Sequence, residues 1–205
     1  MNYGYCNQAL RINLSKNSIE KEALDPQFLK DYLGGRGLNV SRLYEEVPPE
    51  IDPLSEENKM FIGVGPLTGT LFPGAARVNF TAKSPQTNIL GDSNTGGFLG
   101  SEIKFAGFDQ IILEGKADQL SYIYIKDNQA EIRSAEHLSQ LDTFETQRKL
   151  KEETNNQVKT KKKSIILIGG VGFNEIETTI TNLKDYKNRY LNIYNNNDLK
   201  VEKIF

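Results

Sequence analysis

The amino-acid sequence predicts an α+β domain in which mixed or antiparallel β-sheets have flanking helices. Short segments with a strand-like alternation of apolar and polar residues recur along the chain. Amphipathic helical segments stand between them, with capping residues at their starts and glycine or proline at their ends. Because these strands and helices do not alternate strictly as in a βαβ protein, the pattern favours α+β. A chain of 205 residues can build a single hydrophobic core, so we assign residues 1–205 to one domain.

The N-terminal part predicts a hairpin followed by two helices. The predicted elements are a strand over 9–14, a returning strand over 19–22, a helix that starts at Asp25-Pro26 and a second helix over 39–45. Asp25 is a capping carboxylate and Pro26 occupies the first helical position, which together mark a helix start. The core-facing residues are predicted to be Phe28, Leu29, Tyr32 and Leu33 in the first helix, and Val40, Leu43 and Tyr44 in the second.

The remaining segments predict further strands and two more helices. The predicted elements are strands over 59–65, 76–82 and 109–115, a helix from about 98 to 107, a hairpin of 121–126 with 130–134, a helix over 143–153 and strands over 164–169 and 199–205, the last closing the sheet. In the strand over 76–82, Arg77, Asn79 and Thr81 share one face. Residues 91–97 are rich in glycine and small polar residues, which predicts a loop.

Composition and cysteine usage exclude several classes of protein. A net charge of -2 gives no basic surplus for nucleic acid. The sequence has neither an apolar run long enough for a membrane span nor a secretory signal, so the expected location is the cytoplasm. Cys6 is the single cysteine and His137 the single histidine, so this chain cannot build a cysteine-ligated iron–sulfur site. A buried or incidental thiol is the expected role of Cys6, and His137 is expected at the surface.

Three glycine-rich loops are the candidate functional segments: residues 34–37, 65–69 and 92–97. Glycine lets backbone N–H groups approach a ligand without an intervening Cβ, and a helix start adds exposed N–H groups. Arg36 and Arg77 are candidate partners for phosphate oxygens, and the carbonyl of Asn94 suits a hard cation. Taken singly, each loop is also explained by turn geometry alone, because most glycine loops between strands bind nothing.

Taken together, a series of motifs resembles the N-terminal domain of the tungsten-containing aldehyde:ferredoxin oxidoreductase family. The motifs occur in order at residues 11–15 (RINLS), 32–38 (YLGGRGL), 52–59 (DPLSEENK), 65–70 (GPLTGT), 82–85 (AKSP), 93–97 (SNTGG), 99–109 (LGSEIKFAGFD) and 114–117 (EGKA). The resemblance is clear to about residue 172, and residues 173–205 diverge.

The resemblance implies a β-sheet base with flanking helices on which a tungsten–bis-pterin cofactor sits. It implies that Arg77 contacts the pterin and that the backbone carbonyl of Asn94 binds a magnesium ion between the pterin phosphates. It further places Thr95, Gly96 and Gly97 against the cofactor, with Arg36 as an additional contact. The family's chemistry is oxidation of an aldehyde to a carboxylic acid, with electrons passed to ferredoxin.

The resemblance also implies what other parts must supply. Family enzymes continue into helical domains that contribute the [4Fe–4S] cysteines and more pterin-binding motifs, so a partner chain with these domains, or a homo-oligomer, is expected. Residues 184–192 (KDYKNRYLN) stand where the family has a glycine- and arginine-rich loop, with Arg189 as a substitute arginine.

Three interpretations remain open at this point. The chain is the cofactor-cradling subunit of an enzyme, a non-catalytic paralogue that binds pterin or serves as a structural subunit, or a fragment of an enzyme.

Overall fold

The computed structural model describes residues 4–154 together with the strand segments 163–168, 193–195 and 198–201. Its strands are Gln8–Asn13 (β1), Ser18–Ala23 (β2), Lys59–Val64 (β3), Val78–Lys83 (β4), Leu90–Thr95 (β5), Gln110–Glu114 (β6), Ser121–Lys126 (β7), Gln129–Ser134 (β8), Lys163–Ile168 (β9), Ile193–Asn195 (β10) and Asp198–Val201 (β11). Its α-helices are Pro26–Tyr32 (α1), Arg36–Glu46 (α2), Leu99–Phe105 (α3) and Thr143–Glu153 (α4). The predicted α+β class is confirmed.

The large sheet has six strands in the order β2-β1-β6-β3-β4-β5. Among the strands that the structure describes in this sheet, only β1 and β6 run parallel and the other neighbouring pairs are antiparallel, so the sheet is mixed. A second sheet has the order β8-β7-β9, and β10 pairs with β11 in a separate ladder. For the described residues 199–201, the prediction of a strand that closes the sheet is wrong, because β11 pairs with β10 rather than with the large sheet.

Apolar side chains divide into layers on the two faces of the large sheet. On one face, Phe61 and Ile112 pack with Leu29 and Leu38 of helices α1 and α2. The other face packs against α3 and the hairpin of β7 and β8 through a larger cluster that includes Leu10, Ile62, Val78, Ile103, Ile111, Ile123 and Ile125. Alternation along β7 then places Tyr122 and Tyr124 in a third cluster with Leu150 of α4.

Local capping rules set several element boundaries as the sequence predicts. The Asp25 carboxylate accepts a hydrogen bond of 2.9 Å from the Gln27 N–H at the start of α1. Asp142 caps α4 in the same way, accepting from Phe144 N and Glu145 N at 2.8 Å each. The predicted hairpin of β7 and β8 is confirmed, and its turn residues Asp127 and Asn128 both have positive φ, as a tight two-residue turn requires.

Two predicted helix faces are wrong in part. Tyr32 and Leu33 are exposed rather than buried, because α1 ends at Tyr32 and Leu33 leaves it at a φ of 60°. In α2, Tyr44 points to solvent with 89% of its area exposed. Asn39 occupies the inward-facing position instead, because its amide donates hydrogen bonds to the backbone carbonyl oxygens of Phe61 and Asn79 in the sheet.

Two further boundaries differ from their predictions near the candidate loops. Residues 90–95 form strand β5, not a loop, because they make a continuous antiparallel ladder with β4. Strand β4 begins at Val78, so Arg77 lies just before the strand. In α3, Phe98 and Phe105 are exposed although the predicted helix places both on its recurring apolar side.

Candidate functional site

The three candidate loops meet at one edge of the large sheet. Val64 at the end of β3 pairs with Val78 at the start of β4, and Val78 pairs with Thr95 at the end of β5. The loops that follow β3 and β5 therefore leave the sheet at the same edge. The 34–37 loop joins them there, because Gly35 N–H donates to the Val64 carbonyl at 3.1 Å.

Close backbone contacts hold these loops against each other. A Cβ on Gly34 would lie 2.7 Å from the Val64 carbonyl oxygen, so this glycine is required by packing between the first two loops. A Cβ on Gly100, at the start of α3, would lie 3.0 Å from the Ala76 oxygen. The Thr68 hydroxyl accepts from Gly65 N–H at 3.2 Å and fixes the turn that follows β3.

Three other glycines of the same loops face open space. A Cβ added to Gly35, Gly96 or Gly97 would meet no heavy atom within 4 Å. Gly35 and Gly97 have positive φ values of 52° and 93°, so backbone conformation explains why glycine occupies these two positions. The conformation of Gly96 does not require glycine. Open backbone at these positions fits a cradle into which a ligand can approach the main chain closely. The residues present thus fit a phosphate-bearing cofactor.

Two arginines flank this open backbone. Arg36 is the first residue of α2, and its side chain is 64% exposed while it forms an ion pair with Asp92 of β5. The hydrogen bond and the negative charge of Asp92 raise the pKa of Arg36, which stays cationic. Arg77 is exposed at the entrance to β4, and its guanidinium has no hydrogen bond or ion pair to any residue in the described part of the chain.

Asn94 and Thr95 occupy different surroundings. Asn94 is opposite Asn79 in the ladder and lies exposed on the α2 face, where its amide approaches Asp92 at 3.5 Å. Thr95 is buried on the other face, and its hydroxyl contacts the Gly96 carbonyl at 3.4 Å. The structure therefore brings Arg36, Asn94, Gly96 and Gly97 to one edge and turns the Thr95 side chain away from the α2 face.

A buried polar network, which the sequence patterns do not predict, lies beneath the site. Asn39 Nδ2 donates to Asn79 Oδ1 at 2.8 Å, and Asn79 Nδ2 donates to Asp92 Oδ1 at 2.6 Å. Gln110 Nε2 donates to Asn39 Oδ1 at 2.8 Å, and the Thr81 hydroxyl donates to Asn79 Oδ1 at 2.8 Å. The signal for it was the shared face of Asn79 and Thr81, which are both buried polar residues on β4.

Six charged side chains form an ion cluster near the C-terminal end of α2, at the end of the sheet opposite the glycine loops. Its members are Arg11, Glu22, Arg42, Glu46, Lys59 and Glu114. Burial alone would raise the pKa of Glu46, but hydrogen bonds from Arg11, Lys59 and Arg42 outweigh it and lower that pKa to about 2. The three positive and three negative charges neutralise each other, which is typical of a structural network.

The lone cysteine and the lone histidine each contact a neighbouring group of the protein. Cys6 donates its thiol to the Lys104 carbonyl at 3.5 Å. Burial, then the charge of Asp109, raise the pKa of the Cys6 thiol despite the opposing effect of Lys104, so the thiol stays protonated. His137 is partly exposed and contacts the Glu153 carboxylate at 2.6 Å. Within the described residues, no group of three or more His, Cys, Asp or Glu side chains is arranged to hold a metal ion.

Exposed apolar side chains surround the candidate site. Leu67, Leu71 and Phe72 belong to the loop after β3, and Phe98 directly follows Gly97. Leu71 is fully exposed and Phe98 is 73% exposed. None of the helices in the described part of the chain combines the length and the apolar character that crossing a bilayer requires.

Comparisons with known proteins agree with this geometry. The family model for the aldehyde ferredoxin oxidoreductase N-terminal domain matches residues 9–191. The tungsten-containing aldehyde ferredoxin oxidoreductase of Pyrococcus furiosus is 43% identical over 175 residues, which are 85% of this chain and 28% of that protein. The corresponding enzyme of Pyrococcus horikoshii is 44% identical, again over 85% of this chain and 28% of its own length.

More distant relatives extend the same likeness. The WOR-like subunit of an aliphatic sulfonate oxidoreductase from Pyrococcus furiosus is 33% identical over 85% of this chain and 29% of its own length. Among solved structures, the active-site complex BamBC of benzoyl coenzyme A reductase matches with a TM-score of 0.73 and 41% identity, over 76% of this chain and 24% of that one. The chain spans under a third of the length of these relatives. It belongs to the aldehyde ferredoxin oxidoreductase family and corresponds to its N-terminal domain.

Proposed function

We propose that this chain forms one side of a cradle for a tungsten–pterin cofactor and acts in oxidoreductase chemistry together with a partner. The observation that supports the proposal best is the meeting of three glycine loops at one sheet edge, with open space at Gly35, Gly96 and Gly97. Backbone N–H groups at Gly96 and Gly97 can approach phosphate oxygens without steric hindrance, whereas the Gly35 N–H already donates to the Val64 carbonyl.

Five of the six candidate site residues have a proposed binding role in this cradle, and the Thr95 side chain has none. Arg36 and Arg77 donate hydrogen bonds to phosphate or pterin oxygens, because a guanidinium offers several N–H groups in one plane. The backbone carbonyl of Asn94 is the proposed ligand of a magnesium ion that neutralises the phosphates. Gly96 and Gly97 let the chain lie against the ligand. When bound, the cofactor would supply the two-electron redox chemistry, which no side chain here provides.

The comparisons support the metal and the reaction class at the level of the family. The Pyrococcus relatives are named as tungsten-containing aldehyde ferredoxin oxidoreductases. By extension from these relatives, we propose that this chain takes part in the oxidation of an aldehyde to a carboxylic acid with transfer of electrons to ferredoxin. We also propose a cytoplasmic location. The substrate pocket and the [4Fe–4S] cluster are proposed to lie outside this chain.

The apolar rim of the site supports the proposed partner. Leu67, Leu71, Phe72 and Phe98 are exposed next to the loops, and the chain corresponds to under a third of each relative. Exposed apolar groups clustered at one place favour contact with another protein surface. We therefore propose a partner chain that contains the cluster-binding domains, with self-association as the alternative.

Purification under oxygen-free conditions tests the proposal. We expect tungsten by elemental analysis, and pterin fluorescence after oxidation, in fractions where this chain elutes with a polypeptide that has iron–sulfur absorbance. A matched Arg77→Ala variant should yield less pterin per mole of complex.

Other outcomes of the purification would replace the proposal. Pterin retained by the lone chain would support the second interpretation, a cofactor-binding paralogue without catalysis. Absence of both ligand and partner would leave a structural role. Residues 184–192, where the motif departs from the family, lie outside the described residues.

A further inference from the structure

We propose that Asp92 is a positioning residue, whose carboxylate holds the Arg36 guanidinium at the candidate site in a fixed orientation for an anionic ligand. The ion pair joins the first turn of α2 to strand β5 across the site. The inference rests on the proposed function, because it assigns to Asp92 a role in binding the phosphate groups of the same ligand.

The carboxylate is the fixed member of the pair. The Asp92 side chain is 14% exposed and accepts a hydrogen bond of 2.6 Å from Asn79, which is itself buried. The Arg36 side chain is 64% exposed, and Asp92 is its one partner within the described residues. An exposed arginine loses considerable side-chain entropy when it is immobilised, so a fixed carboxylate pays part of that cost before the ligand arrives.

The pairing leaves most of the guanidinium available. Arg36 uses only its Nη2 group toward Asp92, and a guanidinium has five N–H donors. The remaining donors have no partner in the described part of the chain. Asp92 thus orients Arg36 without consuming the hydrogen bonds that a phosphate group would accept.

The direction of the buried network follows from the charge of Asp92. A carboxylate only accepts hydrogen bonds, so Asn79 must present its NH2 group to it. The Asn79 oxygen then faces Asn39 Nδ2, and the Asn39 oxygen faces Gln110 Nε2. Gln110 Oε1 is consequently left buried without a partner in the described residues. The interior retains this unsatisfied acceptor, which is normally unfavourable, as the consequence of holding Asp92 in place.

A long-range electrostatic role for Asp92 predicts the opposite result. A negative charge beside an anion site repels the ligand, so its removal alone should strengthen binding. If Asp92 orients Arg36, removal of the carboxylate should weaken binding, because Arg36 must then be ordered by the ligand itself. The sign of the change separates the two roles.

Titration calorimetry with inorganic pyrophosphate as the probe measures that sign. We expect Asp92→Asn to weaken pyrophosphate binding by about three- to tenfold, the cost of ordering one long side chain. Asp92→Glu keeps the charge but lengthens the side chain, and should weaken binding as well. Asp118→Asn is the matched control, because Asp118 is exposed beyond the opposite end of β6, and should leave the affinity unchanged. Unchanged or tighter binding by Asp92→Asn would overturn the proposal.

A double substitution identifies Arg36 as the residue through which Asp92 acts. In an Arg36→Ala background, Asp92→Asn should no longer weaken pyrophosphate binding. A loss that persists in that background would show that Asp92 acts by another route and would overturn the proposal.

Side-chain NMR of the ligand-free protein separates this inference from the proposed function. With Asp92 present, the Arg36 Nη protons should give resolved signals, because the ion pair slows rotation of the guanidinium. These signals should merge in Asp92→Asn. Merged signals in the wild-type protein would overturn the positioning role even if pyrophosphate binds. Resolved signals without any pyrophosphate binding would support the ion pair as a restraint but overturn its ligand role and the proposed cradle.

Discussion

Asn94 and Thr95 follow each other at the end of β5, yet their side chains lie on opposite faces of the large sheet. Asn94 is opposite Asn79 on the face beneath α2, while Thr95 is opposite Val78 and is buried on the face of α3. The period of two in a strand therefore separates two neighbouring members of one motif. Only one of them can offer its side chain to a ligand on the α2 face.

Replacement of Thr95 by valine should leave ligand binding intact. Its hydroxyl makes one long contact, to the Gly96 carbonyl at 3.4 Å. We expect Thr95→Val to change the free energy of unfolding by less than about 1 kcal/mol and the affinity for pyrophosphate by less than twofold. Urea unfolding and calorimetry measure these quantities. A large loss of affinity at normal stability would return Thr95 to the site.

Gly96 and Gly63 should respond to alanine in opposite ways. A Cβ at Gly96 meets no atom within 4 Å, so Gly96→Ala should not reduce stability and should raise it by up to about 1 kcal/mol. The same methyl group should weaken pyrophosphate binding by occupying the cradle. A Cβ at Gly63 would lie 2.5 Å from Asn39 Oδ1 and 2.9 Å from the Gly35 oxygen, so Gly63→Ala should cost about 1–3 kcal/mol.

Thermal unfolding and calorimetry of the two glycine variants check this contrast. Normal pyrophosphate affinity in Gly96→Ala would show that no ligand approaches the backbone at that point.

Arg77→Ala should separate binding from folding. The guanidinium is exposed and has no partner in the described residues, so its removal should change the free energy of unfolding by less than about 0.5 kcal/mol. Retention of a phosphorylated pterin should weaken by about 1–3 kcal/mol if Arg77 pairs with a charged group. Lys126→Ala, an exposed cation on β7, is the control for a simple loss of positive charge. Equal losses in both variants would exclude a specific contact by Arg77.

Asn39 should be among the least replaceable polar residues of α2. Its amide joins the helix to Phe61 and Asn79 of the sheet and accepts from Gln110. Asn39→Ala leaves several buried polar groups unpaired and should cost about 2–4 kcal/mol. Tyr44→Ala on the exposed side of the same helix should cost less than about 0.5 kcal/mol. Similar losses for both variants in urea unfolding would contradict the orientation of α2.

The ion cluster should make stability depend on pH in the acidic range. The pKa of Glu46 is lowered to about 2 in the folded protein, against an ordinary value of 4.5. Its stabilising contribution is thus fully present above pH 4.5 and is lost as the pH falls toward 2. With allowance for solvent screening, we expect this residue to account for about 1–2 kcal/mol.

The Glu46→Gln variant tests that assignment. Its stability deficit relative to the wild type, measured by urea unfolding, should be largest near neutral pH and should shrink below pH 4.5. A deficit that stays constant down to pH 2 would exclude Glu46 as the titrating group.

The order of elements could be read from the sequence because capping and turn chemistry are local. Asp25 caps α1 as predicted, Asp142 caps the predicted helix α4, and the Asp127-Asn128 turn closes the predicted hairpin. The direction in which helix side chains point was harder to predict from the sequence. Tyr44 fits the apolar face of an amphipathic helix, but a polar network that depends on residues from four strands and one helix selects Asn39 for the interior.

The sequence predicted the loops of the candidate site but not the residues that hold those loops and Arg36 in place. The glycine loops are visible in the sequence, and β-ladder pairing brings them to one edge. The sequence alone predicts that Asp92 lies in a loop. In the structure, the ladder with β4 places Asp92 opposite Thr81 and within reach of Arg36. Strand pairing is a long-range property, so local patterns could not reveal that the pair exists.

The ion cluster and the glycine loops occupy opposite ends of the same strands. In the ion cluster, Lys59 is the first residue of β3 and Glu114 is the last residue of β6. At the other end of these strands, the 65–69 loop follows β3 and helix α3 leads into β6. Segment 70–74, which is exposed throughout, could therefore be exchanged for a loop of different length or composition while the buried contacts of Thr68 and the distant charges are kept. Such a chain offers an engineering scaffold in which recognition can be redesigned separately from folding.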